Sequence, residues 1–179
     1  MLPFARLTII GLGLIGSSVA RAVRAQMSSV RIIGHDADPA VRARAVALGI
    51  CDDVTDTAGA SVIDADLVIL CVPVGAMGAV AAEFAADLPA DAIVSDVGSC
   101  KQSVVDALTA VLPTATIIPA HPVAGTEKSG PDAGFSTLFK GRWCILTPPE
   151  HAPEAAVERL RSFWQQLGAD VEIMDARHH

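Results

Sequence analysis

The sequence is short of basic charge: 13 Lys and Arg stand against 20 Asp and Glu, giving a net charge of −7 and a pI near 5.0. A nucleic-acid backbone is bound by clustered Lys and Arg, so this balance argues against a nucleic-acid partner. No stretch reaches the roughly 18 charge-free apolar residues that a membrane span requires. The N-terminal run MLPFARLTIIGLGLIG carries one arginine and is interrupted by glycines, unlike a signal peptide. The four cysteines, Cys51, Cys71, Cys100 and Cys144, form no C-x-x-C pair. Neither a zinc site nor a disulfide framework is therefore indicated, and reduced thiols suit the cytosol. Internal repeats, low-complexity tracts and linkers are also lacking. A soluble, cytoplasmic protein without metal is expected.

What is present is core material. Hydrophobic residues make up 51% and charged residues 18%, which suits one domain over residues 1–179 built on a sheet buried on both faces. β-branched runs predict strands over 7–10, 30–34, 67–71, 93–95, 116–118, 143–146 and 171–174. Between them, helices are predicted over 14–25, 39–48, 77–86, 101–111 and 154–167, with Pro39 in a first turn and Gly49 as a helix stop. Strands alternating with helices imply parallel strands joined by crossovers. The segment from Ala120 to Arg142 has no predicted element, and a loop of that length is expected to be functional or mobile. The chain stops at His179 directly after the last strand, which reads as a fragment.

The run LTIIGLGLIGSSVARAVR holds Gly11, Gly13 and Gly16 in G-x-G-x-x-G spacing between a strand and a helix. Gly11 permits a tight turn, Gly13 admits a pyrophosphate close to the backbone, and Gly16 lets the helix approach the strand. Leu14 and Ile15 open that helix, whose unpaired N–H groups face the phosphates. A second strand ends at Asp36, twenty residues after Gly16, where a carboxylate can accept both adenosine ribose hydroxyls. The fold class expected is α/β, a Rossmann-type doubly wound, mostly parallel sheet with helices on both faces. Asp36 would repel a 2′-phosphate, so NAD is expected in preference to NADP; His35, Arg42 and Arg44 stand against that choice as basic residues nearby. A ligand-free turn is the other reading of the glycines, but the strand, helix, second strand and acid together favour the dinucleotide. In DLVILCVPV, Val72 and Pro73 close a strand on the edge where ligands bind, although a proline can simply end a strand.

The run IVSDVGSCKQSVVDAL places Asp96, Gly98, Ser99 and Lys101 on the same edge. Ser99 alone would read as a helix cap. Cys100 reads as packing, since no partner base is visible. His121, in AHPVAGTEKSGP, follows Ser99 by one helix and one strand and is expected to share its cleft. Histidine can take the proton released when an alcohol is oxidised, whereas a core or capping histidine is the alternative. Gly125, Thr126, Ser129 and Gly130 suggest a loop fitted to a small ligand; Glu127 and Lys128 read equally as solvated charges.

Four stretches, GLGLIGSS, LCVPVGAM, DVGSCK and HPVAGTEKSGP with FKGRWCILTP after it, resemble the prephenate and arogenate dehydrogenases of tyrosine biosynthesis. The last two are the specific ones, and the resemblance runs the length of the chain. It implies NAD-dependent oxidative decarboxylation, with His121 accepting the proton of the substrate's ring hydroxyl and Ser99 orienting that hydroxyl against the nicotinamide. It also implies that Thr126 and Glu127 line the substrate pocket. Cys100 departs from the valine, threonine or serine commoner there. Members of the family continue past a segment like MDARHH into a helical domain that dimerises and supplies an arginine for a substrate carboxylate. By that resemblance His179 lies near the substrate, the remnant of an affinity tag being the other reading of His178 and His179; the complete protein is a homodimer, and this chain alone has weak or no activity. A cofactor-binding module without catalysis, or another hydroxyacid dehydrogenase, are the competing functions. The sequence does not separate prephenate from arogenate.

Overall fold

The structure, a computed structural model, describes residues 2–175; His178 and His179, with the substrate-side reading of the latter, lie outside them. Its first two thirds alternate strand and helix: β1 (Arg6–Ile10), α1 (Leu14–Gln26), β2 (Arg31–His35), α2 (Pro39–Leu48), β3 (Asp53–Thr55), α3 (Ala58–Val62), β4 (Leu67–Leu70), α4 (Met77–Phe84), β5 (Ile93–Asp96), α5 (Lys101–Val111) and β6 (Thr116–Ile117). The six strands form a parallel sheet in the order β3-β2-β1-β4-β5-β6. This is the doubly wound Rossmann arrangement, with its switch point between β1 and β4.

Side-chain parity explains why both faces are covered. Leu7, Ile9, Leu67, Ile69 and Ile93 pack on one side with Val19 and Val23 of α1. Ile10, Val68, Leu70 and Val94 pack on the other with Val62 of α3, Met77 and Phe84 of α4, and Val104 and Leu108 of α5. Successive strand residues point to opposite faces, so an unbroken apolar strand such as Leu67–Leu70 needs helices on each side. Local signals set the helix limits. At α2, Asp38 accepts from the Ala40 N–H at 2.8 Å, Pro39 takes the first turn and Gly49 ends the helix at φ 63°.

The last third departs from the predicted layout. β7 (Ala120–Pro122), β8 (Trp143–Leu146) and β9 (Asp170–Ile173) form a separate three-stranded sheet, antiparallel between β7 and β8 and parallel between β8 and β9, with α6 (Glu154–Gln166) connecting the latter two. Cys144 and Leu146 of β8 face the core beside Phe139 and Trp164, whose rings meet edge to face at 5.3 Å. β3 and α3, of three and five residues, escaped the sequence reading because neither is long enough to show a period.

The segment from Ala120 to Arg142, without a predicted element, is not structureless. It opens with β7 and carries a 3₁₀ turn at Pro131–Ala133, and its middle is strapped onto the first two helices. Arg44 of α2 holds both carboxylate oxygens of Asp132, Arg21 of α1 donates to the Pro131 carbonyl at 3.3 Å, and the Phe135 N–H donates to Ser18 Oγ at 3.1 Å. Gly134 is needed there, because a Cβ would stand 2.9 Å from the Ser18 nitrogen and from the Ser17 Cβ.

Candidate active site

At the switch point a cleft of about 380 Å³ opens at the carboxyl ends of β1 and β4, bounded by Ile10, Gly11, Gly13, His35, Asp36, Ala37, Cys71, Val72, Pro73, Ala76, Val80 and Glu83. Each fingerprint glycine has a distinct local reason. Gly11 has φ +97°, and a Cβ would stand 2.7 Å from the Cys71 carbonyl carbon. At Gly16 a Cβ would drive into the Gly11 carbonyl and Ile9, which is the close helix-to-strand approach. A Cβ at Gly13 would meet nothing within 4 Å, so the backbone there borders open cleft. α1 begins at Leu14 and Ile15 with neither a side-chain cap nor an acidic residue in its first turn. Its first N–H groups and positive dipole end are thus left for an anion. The residues fit a dinucleotide pyrophosphate.

Asp36 does more than the sequence suggested. Its Oδ2 accepts from the Leu12 N–H at 2.8 Å and its Oδ1 from the Asp38 N–H at 2.9 Å, so it ties the glycine turn to the end of β2. Each carboxylate oxygen has a further lone pair for a hydroxyl. The basic residues near it are already engaged. His35 is buried with Nδ1 2.9 Å from the Thr55 carbonyl, an acceptor, so Nδ1 carries the hydrogen. Arg42 donates to the Asp36 and Ala37 carbonyls at 2.8 and 3.2 Å, and Arg44 is committed to Asp132.

Next to the cleft, the turn after β5 packs against the one after β4. The Val97 N–H donates to the Leu70 carbonyl at 3.2 Å, and a Cβ at Gly98 would press on Val74 and Met77. The turn is organised by Asp96 and Lys101, whose side chains are fully buried and joined at 2.5 Å. Asp96 also accepts from the Gly98 N–H at 2.7 Å and the Ala120 N–H at 3.2 Å, while Lys101 donates to the Ala120 carbonyl at 2.7 Å. Burial pushes the Asp96 carboxyl up and the Lys101 ammonium down; each charge and its hydrogen bonds oppose the shift. The network joins β5, the Ser99 turn, the start of α5 and the residue immediately before His121. Sequence reading placed both residues on this edge but missed their pairing. An acid ending a buried strand, with a lysine five residues on at the next helix start, was the available signal.

Ser99 does not cap α5. The cap position is Cys100, without a side-chain capping bond, and Ser99 is exposed with Oγ 4.0 Å from the Cys100 sulfur. Cys100 is likewise exposed rather than packed, whereas burial raises the Cys71 and Cys144 thiols and pushes Cys51 up to about 12. His121 belongs to the second sheet rather than to the end of a main-sheet strand. It is half-buried, pairs in register with Ile145, and shares with it the face opposite the core-facing Cys144 and Leu146. Thr126 and Glu127 stand exposed on the arch beyond it, where Thr126 Oγ1 accepts from the Lys128 N–H at 3.1 Å.

Comparison with known proteins gives a consistent result. A family model described as prephenate dehydrogenase, nucleotide-binding domain, matches residues 19–173, beginning just past the glycine fingerprint. A cyclohexadienyl dehydrogenase of Zymomonas mobilis is 48% identical over 179 residues, covering 100% of this chain and 61% of the relative. A prephenate dehydrogenase of Bacillus subtilis is 36% identical over 171 residues, covering 94% of this chain and 46% of the relative. Among solved structures, prephenate dehydrogenase from A. aeolicus in complex with hydroxyphenyl propionate and NAD+ superposes with a TM-score of 0.90 at 31% identity, over 100% of this chain and 62% of that one. The chain thus spans between about half and three fifths of the length of these proteins.

Proposed function

The chain belongs to the prephenate dehydrogenase family, and from that premise we propose that it forms the NAD-binding, proton-accepting part of an enzyme that oxidatively decarboxylates prephenate to 4-hydroxyphenylpyruvate, arogenate to tyrosine, or both. One arrangement carries the reading. A glycine turn and Asp36 stand at the switch point, and the Ser99 turn beside it is tied to the His121 strand through Asp96, Lys101 and Ala120.

In this reading Gly11, Gly13, Leu14, Ile15 and Gly16 hold the pyrophosphate, Asp36 the adenosine ribose, and Val72, Pro73 and Ser99 the remainder of the cofactor along the strand ends. NAD supplies the hydride acceptor. Ser99 orients the substrate's ring hydroxyl, and His121 takes its proton as hydride leaves the same carbon. Carbon dioxide departs and the ring becomes aromatic, which supplies the driving force. The protein's work is positioning and the removal of one proton, so few ionisable groups are needed. Thr126 and Glu127 border the substrate, and the complete protein acts as a homodimer.

The test is NADH formation by the complete protein supplied with prephenate and then with arogenate. His121→Asn should lower kcat by about 10²–10⁴-fold while leaving NAD affinity unchanged. Absence of turnover with both substrates would contradict the function, and full activity of the variant would contradict the role of His121.

A further inference from the structure

The cofactor cleft is bordered by the glycine turn, Asp36 and α4, and its α4 wall is built differently from the glycine turn. Ala76, Val80 and Glu83 border the cleft at spacings of four and three, which align them along one side of the helix. Met77, Ala81 and Phe84, on the adjoining side, are fully buried. Ala37, Val72, Pro73, Ala76 and Val80 therefore present apolar walls suited to a flat ring. Beyond them Glu83 is an exposed carboxylate without an ion-pair partner among the described residues.

We propose that Glu83 accepts a hydrogen bond from the exocyclic amino group of adenine, making the cleft selective for an amino-purine dinucleotide over an oxo-purine one. The inference rests on the reading of the cleft as an NAD site. Asp36 at one end takes the ribose, the apolar walls hold the ring, and Glu83 reads its outer edge. An ionised carboxylate can only accept, and the 6-amino group of adenine donates. Hypoxanthine carries a carbonyl oxygen at that position, so two acceptors would face each other, and selectivity follows from the repulsive pairing. The apolar stretch fixes the plane of the ring, while the single polar residue at its end fixes which ring is taken.

The experiment is calorimetric titration of the 179-residue chain with NAD and with nicotinamide hypoxanthine dinucleotide, repeated on Glu83→Gln and Glu83→Ala. The wild-type chain should prefer NAD by about tenfold, the scale of one hydrogen bond to a charged group. Glu83→Gln, whose amide also donates, should weaken NAD, strengthen the hypoxanthine analogue and bring the ratio to within about twofold. Glu83→Ala should also abolish the preference. Thermal unfolding of both variants should match wild type, because the side chain is exposed. Equal binding of the two dinucleotides by wild type, or an undiminished preference in either variant, would overturn the role of Glu83 while leaving the NAD site standing. Failure of wild type to bind NAD would overturn both.

Discussion

Two ion pairs grip the long segment between β6 and β8, one at its start and one near its middle, by different physics. Lys101 and Asp96 hold Ala120 from a site with no solvent exposure, whereas Arg44 and Asp132 hold the 3₁₀ turn with side chains 50% and 57% exposed. Burying two charges is costly, and the cost is offset only when their remaining hydrogen-bonding groups are satisfied. At the inner pair, backbone groups of Gly98 and Ala120 do this. At the outer pair, water screens the attraction, and its benefit lies in two-pronged geometry. The inner grip ties the Ser99 turn to the strand that carries His121. Between the two grips the arch carrying Thr126 and Glu127 is exposed, leaving it room to fit a ligand.

The sharpest way to break this contrast is Lys101→Met. It leaves the Asp96 carboxylate buried without its cation and should cost about 3–5 kcal/mol in urea unfolding; a loss comparable to that of a surface substitution would refute the assignment. Adding Asp96→Leu to Lys101→Met should cost less than the two single losses combined, by a coupling of about 1–3 kcal/mol, since the double variant no longer strands a charge. Next in size, Gly134→Ala should cost about 1–3 kcal/mol, because the new methyl must displace the strap from α1. Arg44→Ala should leave global unfolding nearly unchanged yet speed tryptic cleavage at Lys128, and added salt should produce the same trend in wild type. The hydrogen bond from Arg44, with its charge, holds the Asp132 carboxyl below its ordinary range. The contribution of that pair is therefore fully present above the ordinary carboxylate pKa of about 3.9 and is lost only as pH falls through the lowered value. The NMR signal of the Arg44 Nε–H should keep its bonded position down to about pH 4, and its loss near neutrality would contradict the pairing.

The halves of the chain differed in how much they disclosed. From β1 to β6, strand runs buried on both faces, Pro39, Gly49 and the glycine fingerprint are local signals that agree with the tertiary structure. Beyond β6 the local signals marked β8, α6 and β9 but not β7, which acquires its strand character from pairing with β8, more than twenty residues later, nor the strap, which depends on Arg44, 88 residues before Asp132. Lys101 shows the same limit at one side chain. The motif placed it on the strand-end edge, and only packing of the second sheet against β5 encloses it. His121 and Ser99 were singled out as candidates through motif resemblance; the network joining the Ser99 turn to the His121 strand was not foreseen. Asp36 was singled out by its place at the end of β2, but its hold on the Leu12 N–H depends on how the glycine turn folds back against it.

Calorimetric titration of this chain with NAD and NADP tests directly whether the switch-point cleft with Asp36 is an NAD site. Saturable binding of one NAD per chain, with NADP weaker by about tenfold or more, is the predicted result. Equal or tighter binding of NADP would contradict the role given to Asp36, and no binding of NAD would contradict the site.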